Sequence, residues 1–146
     1  MKIKTILYLE DSRLDVALTC EVLKENRILN QVIVASDGVE GLEYLRCEGK
    51  YKERTPGNPG MILLDLKMPR MDGLDFLAIV KEDVTFKTIP VIMLTSSREE
   101  QDLVKSYALG VNAYVVKPVD FHSFQEIVKQ IGQFWAMINE VPSEER

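Results

Sequence analysis

Five short runs of apolar residues are spaced along the chain. They are Ile6 to Leu9, Val32 to Ala35, Met61 to Leu64, Val91 to Leu94 and Ala113 to Val116. Because these runs are continuous rather than alternating with polar residues, they are typical of strands buried on both faces of a parallel sheet. The pattern therefore predicts five interior strands.

The segments between the runs carry apolar residues at helical intervals. The faces that these intervals define are Val16, Cys20 and Leu23 in the first segment; Leu103, Val104, Tyr107 and Ala108 in a later one; and Phe124, Ile127, Val128, Ile131, Phe134 or Trp135, and Ile138 in the last. We expect helices in these segments, with the last helix packed along the sheet.

Helix start signals agree with this division. Ser97 followed by Glu100 fits a capping box, and Asp37 and Asp120 can each accept hydrogen bonds from a first helical turn. The predicted order is a strand followed by a helix, repeated five times. This alternation predicts an open parallel sheet with helices on both faces in a doubly wound order, although periodicity alone does not choose the strand order.

Length and composition indicate an ordinary globular protein. The 146 residues fall in the size range of one domain, and 46% hydrophobic with 28% charged residues suits an independently folding chain. We expect a single domain over residues 1–146. A polar stretch rich in proline and glycine at 48–60 predicts an extended surface loop inserted before the third strand, and the tail at 142–146 is expected to fray.

Charge and cysteine content exclude several functions. A formal net charge of −5 gives no general attraction to nucleic acids or anionic membranes. Cys20, Cys47 and the single histidine, His122, do not form a zinc-binding pattern. The first apolar stretch is too short for a signal peptide or a membrane span, so we expect a cytoplasmic protein.

Polar residues follow four of the five predicted strands. Glu10 and Asp11 follow the first, Asp65 the third, Thr95 the fourth and Lys117 the fifth. Because the carboxyl ends of parallel strands share one edge of the sheet, these residues are expected to converge. Neighbouring carboxylates resist ionisation unless a cation joins them, and Mg2+ together with a lysine ammonium meets that need. The sequence therefore predicts a magnesium site at this edge.

This set of residues, with the segment from Leu63 to Gly73 and the pair Lys117-Pro118, resembles the receiver domain of two-component response regulators. The resemblance covers nearly the whole chain. It implies an α/β, flavodoxin-like (CheY-like) fold with a doubly wound five-stranded parallel sheet of order 2-1-3-4-5 and five helices. It also implies a signalling switch that catalyses only its own phosphorylation and dephosphorylation, rather than an enzyme acting on other substrates.

The resemblance assigns a role to each residue of the metal site. Asp65 is implied to accept the phosphoryl group, and Mg2+ is implied to be held by Glu10, Asp11, Asp65 and the carbonyl group of Lys67. Lys117 supplies an ammonium group to the phosphoryl oxygens. Many receivers have an aspartate at the first acidic position, and the longer Glu10 would more readily reach the metal through a water molecule.

Further residues are assigned to the conformational switch and the loops. Thr95 and Tyr114 are implied to move together when the phosphoryl group binds, which reshapes the surface of the fourth helix, fifth strand and fifth helix. The Lys117-Pro118 peptide bond is implied to be cis. Gly73 lies where the loop after Asp65 must turn tightly, and glycine tolerates a positive φ there.

A narrower resemblance concerns the partners. The loop at 48–60, the absence of an output domain and the aromatic pair Phe134 and Trp135 resemble the small stand-alone response regulators of bacterial phytochromes. This implies a phytochrome-type sensor histidine kinase as the phosphoryl donor, a downstream protein target that the sequence does not identify, and homodimerisation through the region of the fourth and fifth helices.

Three other functions have less support. A phosphatase of the haloacid-dehalogenase type would carry a second aspartate two residues after its nucleophile, where Lys67 stands. A nucleotide- or flavin-binding protein would carry a glycine-rich phosphate-binding motif, which the sequence lacks. A phosphorylation-independent interaction module stays open, although the complete set of matching residues argues against it.

Overall fold

Strands and helices alternate along the chain in the computed structural model, which describes residues 4–142. In chain order they are β1 Ile6–Leu9, α1 Arg13–Glu25, β2 Val32–Ala35, α2 Gly38–Arg46, β3 Met61–Leu64, α3 Gly73–Glu82, β4 Val91–Thr95, α4 Glu100–Ala108, β5 Ala113–Val116 and α5 Phe121–Ile131. A 3-10 turn, Gly49–Tyr51, lies between α2 and β3, and a π-helix, Gly132–Ile138, continues α5. None of the described helices has the length and apolar character needed to cross a membrane.

The five strands form one parallel sheet in the order β2-β1-β3-β4-β5. Leu9 pairs with Ala35 on one side and with Leu64 on the other, so β1, β2 and β3 end at the same level. Leu64 pairs with Met93 and Thr95 with Val116, so β4 and β5 extend two residues further at the same edge. The predicted flavodoxin-like fold and its strand order are confirmed. The aligned carboxyl ends bring the residues that follow the strands to one edge.

Both faces of the sheet are covered by helices, which explains why the strand sequences are continuously apolar. Leu7 and Leu9 pack with α2 and α3, where Phe76 is fully buried. Ile6 and Tyr8 point to the opposite face and pack with α1 and α5. Burying a large apolar side chain contributes about 1.5–3 kcal/mol, so the two layers supply the main stabilising term of the fold.

The start of α4 differs from the sequence prediction. The helix begins at Glu100 with Glu99 as its N-cap, and Ser97 does not form a capping box with Glu100. Instead the Ser97 hydroxyl donates a hydrogen bond of 2.6 Å to the carboxylate of Asp102 and accepts one of 3.3 Å from the Glu99 N–H. Ser97 lies two residues before the N-cap, so its oxygen accepts from the N–H of Glu99 rather than of Glu100, while its proton goes to the carboxylate of Asp102 in the first turn.

The apolar face that the sequence defines on α4 is largely on the surface. Val104 and Tyr107 have 57% and 53% of their surfaces exposed. The buried residues of the helix are Asp102 and Ser106. Their burial is tolerated because the Asp102 carboxylate accepts the Ser97 bond and the Ser106 hydroxyl donates to the Asp102 carbonyl at 2.7 Å. An apolar strip is consequently left on the surface.

The predicted caps at Asp37 and Asp120 are confirmed. Asp37 accepts a hydrogen bond from the Glu40 N–H at the start of α2, and Asp120 accepts one from the Ser123 N–H at the start of α5. Short acidic side chains before a helix satisfy N–H groups that have no partner within the helix. These aspartates therefore fix where two of the helices begin.

The chain beyond α5 departs from regular helical periodicity. Phe124, Val128 and Ile131 are buried as predicted. Of the two alternatives at the next position, Trp135 packs against the same apolar layer, whereas Phe134 and Ile138 are exposed. The change to a π-helix explains the difference, since its wider turn rotates the buried face, and Ala136 takes the inward position. Of the predicted frayed tail at 142–146, residues 143–146 lie outside the described part of the chain.

The stretch at 48–60 is folded against α2 rather than extended. Arg54 donates hydrogen bonds to the carbonyls of Tyr44, Thr55 and Gly57, and its guanidinium group lies 3.9 Å from the centroid of the Tyr44 ring. The stretch is rich in turn-forming residues, which led to the prediction of an extended loop. It is ordered by the hydrogen bonds of one arginine to several backbone carbonyls, and these contacts leave no local sequence pattern. The stretch precedes β3, so it lies at the edge opposite the carboxyl ends of the strands.

Candidate metal and phosphoacceptor site

Three carboxylates meet at the carboxyl edge of the sheet. Glu10 and Asp11 follow β1, and Asp65 follows β3, the neighbouring strand. One oxygen atom from each lies within 4.8 Å of the others. They line a cavity of about 490 Å³ together with Thr95 and Lys117. The sequence-predicted residues from four separate strands are thus brought to one cavity.

Burial controls the electrostatics of the site. The Glu10 side chain is only 1% exposed and that of Asp65 is 12% exposed, whereas Asp11 is open to solvent. Burial raises the pKa of Glu10 to about 7, and the hydrogen bond from Lys117 reduces this effect only in part. Burial also raises the pKa of Asp65 above its ordinary value, against the attraction of Lys117. The site therefore resists holding several negative charges without additional positive charge.

The ammonium group of Lys117 binds two carboxylates and approaches a third. Its Nζ atom lies 2.5 Å from Glu10 Oε1, 2.7 Å from Asp15 Oδ2 and 3.9 Å from Asp65 Oδ1. Burial lowers the pKa of Lys117, but the hydrogen bonds to Asp15 and Glu10 outweigh burial and leave it above the ordinary value. The lysine is therefore charged and held mainly on the β1 and α1 side of the cavity.

Asp15 is a site residue that the sequence reasoning missed. It lies in the first turn of α1, whose N-cap is Ser12, four residues after Asp11. The available signal was its place three residues after the capping serine, since the first turn of a helix lies next to the residues that precede the helix. Asp15 does not follow a strand directly, and for that reason the search for residues at strand ends did not include it.

The loop after Asp65 depends on a glycine at position 73. The Gly73 N–H donates a hydrogen bond of 2.7 Å to the Leu66 carbonyl, and a Cβ atom at position 73 would lie 2.2 Å from the Asp65 carbonyl oxygen. The φ angle of Gly73 is outside the left-handed region, so a positive φ is not the reason for the glycine at this position. Glycine is required because α3 begins in direct contact with the backbone of Asp65.

An ion pair ties the same loop to α2. Arg70 donates hydrogen bonds of 2.7 Å and 3.1 Å to the two carboxylate oxygens of Asp37, and the Gly38 N–H donates to the Met71 carbonyl at 3.0 Å. The φ angle of Arg70 is 60°, which lies in the left-handed region. The sequence indicated only the capping role of Asp37, because nothing in its local pattern points to a partner 33 residues away.

Thr95 and Tyr114 are linked through one residue of the loop between β4 and α4. The Thr95 hydroxyl oxygen accepts a hydrogen bond of 3.2 Å from the Ser97 N–H, and the Tyr114 hydroxyl donates one of 3.2 Å to the Ser97 carbonyl. Thr95 is 2% exposed and Tyr114 is half-buried. Movement of Thr95 would therefore disturb the residue that holds Tyr114.

The expected cis peptide bond between Lys117 and Pro118 is absent, since no peptide bond is cis in the described part of the chain. The trans form is favoured by about 0.5–1 kcal/mol even before proline. From this trans backbone the Lys117 side chain already reaches Glu10 and Asp15. Lys67, the expected carbonyl ligand, is exposed and lines the same cavity.

The residues present fit a divalent metal ion. Carboxylate oxygens are the hard ligands that Mg2+ and Mn2+ prefer, and Glu10, Asp11 and Asp65 can place one such atom each around a common point. Asp15 adds a fourth carboxylate, while Lys117 is the one cation bonded to this group among the described salt bridges. A divalent cation would offset the remaining negative charge.

Comparison with known proteins adds independent findings. The family model for the response regulator receiver domain matches residues 6–129. The response regulator Rcp1 from Synechocystis sp. is 40% identical over 132 residues, which cover 90% of this chain and 88% of that protein. The crystal structure of the phosphorylated cyanobacterial phytochrome response regulator RcpA is 39% identical, with a TM-score of 0.90 and coverage of 97% of this chain and 100% of that chain. The Mn2+-bound form of Rcp1 is 37% identical, with a TM-score of 0.89 and coverage of 96% and 99%.

Proposed function

Because the chain belongs to the response regulator receiver domain family, we propose that it is a two-component response regulator that accepts a phosphoryl group on Asp65. The observation that carries the proposal is the position of the Asp65 carboxylate. It lies at the end of a central strand, beside two further carboxylates and 3.9 Å from the ammonium of Lys117. A similar protein has been crystallised in a phosphorylated form, which supports the same chemistry here.

In the proposed reaction an oxygen of Asp65 attacks the phosphorus atom of the donor. A bond forms between this oxygen and phosphorus while the bond between phosphorus and the leaving group breaks, and an acyl phosphate results. The Leu66 N–H donates a hydrogen bond of 2.9 Å to Asp65 Oδ1 and orients the carboxylate. Lys117 is close enough to move onto the new phosphoryl oxygens. The protein thus acts mainly by positioning and by balancing charge.

Glu10, Asp11, Asp65 and the Lys67 carbonyl are the groups that would hold Mg2+. When bound, the ion neutralises charge on the phosphoryl oxygens and supplies the Lewis acid of the reaction. The Mn2+-bound form of Rcp1 supports a divalent cation in this family, and Mg2+ is our specific choice because it commonly couples carboxylates to phosphate. The chain would catalyse only its own phosphorylation and dephosphorylation, since Lys67 stands where a hydrolase would need a general acid.

The switch is proposed to run from Thr95 to Tyr114. To reach a phosphoryl group the Thr95 hydroxyl must move toward Asp65, which breaks its hydrogen bond with the Ser97 N–H and loosens the hold of Ser97 on Tyr114. The surface next to these residues is apolar and exposed. It includes Val104 and Tyr107 on α4. A change in this loop would therefore alter an exposed apolar surface that can bind another protein.

The proposed partners follow from the relatives and from this surface. A phytochrome-type sensor histidine kinase is the proposed phosphoryl donor, because RcpA is described as a phytochrome response regulator. Homodimerisation is proposed through α4 and α5, where Val104, Tyr107 and Phe121 are each more than half exposed. The downstream target is proposed to be a protein that recognises this same surface.

We also propose that the protein works in the cytoplasm as one receiver domain. Cys20 and Cys47 are both free thiols, which suits a reducing compartment. The family model covers the region from β1 to α5, and the sheet and its helices share two apolar layers rather than separate cores.

Phosphorylation can be tested with acetyl phosphate and Mg2+. Intact-mass measurement should show the addition of one phosphoryl group, and Asp65→Asn should abolish it. Asp75→Asn, which removes an exposed carboxylate from the first turn of α3, is the matched control and should be phosphorylated like the wild type. Uptake by Asp65→Asn, or repeated turnover of p-nitrophenyl phosphate by the wild type, would contradict the proposal.

A further inference from the structure

Asp15 competes with the phosphoacceptor for the site's ammonium group. Lys117 Nζ lies 2.7 Å from Asp15 Oδ2, within hydrogen-bond distance, but 3.9 Å from Asp65 Oδ1, which is beyond it. The Asp15 side chain is 29% exposed, and the lysine side chain is 13% exposed. The ammonium is therefore held on the α1 side of a cavity in which it is needed on the β3 side.

The position of Asp15 is set by the turn that begins α1. The Ser12 hydroxyl oxygen accepts a hydrogen bond of 3.2 Å from the Asp15 N–H, and the Ser12 N–H donates one of 3.2 Å to Glu10 Oε2. One capping serine thus fixes both carboxylates that bind Lys117. The ammonium has three donors, and two of them are taken by this turn.

We propose that Asp15 is a positioning residue that restrains Lys117 in the unphosphorylated protein and weakens the contact of its ammonium with a group bound at Asp65. This inference rests on the proposed function. We expect phosphorylation to draw Lys117 toward Asp65 and away from Asp15, because the ammonium lies 2.7 Å from Asp15 Oδ2 but 3.9 Å from Asp65 Oδ1. Part of the favourable interaction with the phosphoryl group is consequently offset by the loss of the Asp15 bond.

The substitution Asp15→Asn keeps the shape of the side chain and removes its charge. We expect the affinity for beryllofluoride, a mimic of the phosphoryl group, to increase by roughly fivefold. This corresponds to about 1 kcal/mol at 1.4 kcal/mol per tenfold change. The expected gain is smaller than the full value of a charge-assisted hydrogen bond because Asp15 is partly exposed to solvent.

The experiment is a beryllofluoride titration of the full chain at saturating Mg2+, followed by the fluorescence of Trp135 and the tyrosines. Asp15→Asn should bind more tightly than the wild type, and Asp15→Glu should stay close to the wild type because it retains a carboxylate. Glu21→Gln removes an exposed charge from the same helix and should leave the affinity unchanged. Thermal unfolding of each variant checks that the fold is intact.

Each outcome is decisive. Equal or weaker binding by a folded Asp15→Asn, with normal binding by the wild type, overturns the role of Asp15 and leaves the proposed function standing. The same gain in Glu21→Gln would show a general charge effect and also overturns it. A purely structural role for Asp15 would lower the unfolding temperature without raising the affinity. Failure of the wild type itself to bind beryllofluoride would contradict the proposed function.

Discussion

Without metal, the protein is expected to become less stable as the pH rises from 5.5 to 8. The perturbed group is Glu10, whose pKa is raised by burial from 4.5 to about 7 in the folded protein. A folded state that binds a proton more tightly than the unfolded state is favoured at low pH. The stability that the Glu10 proton contributes is therefore fully present below about 4.5 and is lost as the pH rises through about 7.

The magnitude follows from this shift. One pKa unit corresponds to about 1.4 kcal/mol, and the part of the shift that is expressed between pH 5.5 and 8 amounts to about 2 kcal/mol. In a chain of 146 residues each kcal/mol changes the melting temperature by about 3 °C, so we expect a fall of roughly 6 °C. The raised pKa of Asp65 acts in the same direction.

The assay is thermal unfolding by circular dichroism in EDTA and in Mg2+. Glu10→Gln should remove most of the pH dependence, whereas Glu126→Gln, an exposed substitution on α5, should retain it. Mg2+ should reduce or reverse the fall, because the metal binds the ionised carboxylates and stabilises the folded state at high pH. A melting temperature in EDTA that rises with pH, or a Glu10→Gln variant with the wild-type slope, would refute this reasoning.

Other substitutions test the loops around the site. Gly73→Ala should destabilise the protein by about 3 kcal/mol in urea unfolding, because the new Cβ atom overlaps the Asp65 carbonyl oxygen; a loss below about 1 kcal/mol would contradict the close contact. Arg70→Ala should lower the urea midpoint of unfolding. Arg70→Lys should recover only part of this loss, because lysine cannot form the bidentate hydrogen bonds to Asp37; full recovery would contradict this role of the guanidinium group. Tyr114→Phe should cost about 1 kcal/mol or less in urea unfolding, because it removes one hydrogen bond to the Ser97 carbonyl; a loss well above 1 kcal/mol would contradict this role.

The strands were predictable because their environment is uniform. Residues such as Leu7 and Tyr8 face opposite layers, yet both are buried, so the whole run must be apolar. The alignment of strand ends then follows from parallel pairing, and it places Asp65 and Lys117 at one edge without knowledge of any tertiary contact.

Features that depend on particular tertiary partners were not predictable in the same way. The apolar face of α4 lies largely on the surface, because hydrogen bonds that involve Asp102 and Ser106 allow the polar face to be buried instead. Asp15 was missed because its role depends on the reach of a lysine 102 residues away. Arg70 likewise owes its role to Asp37 on another element, and local patterns contain no information on such pairs.

The most direct test of the central claim is a crystal structure grown with Mn2+ and beryllofluoride, with the metal located by its anomalous scattering. We expect one metal ion bonded to oxygen atoms of Asp11 and Asp65, with Glu10 bonded directly or through a water molecule, and beryllofluoride bonded to the Asp65 carboxylate. A metal peak away from these carboxylates, or beryllofluoride bound elsewhere than Asp65, would contradict it.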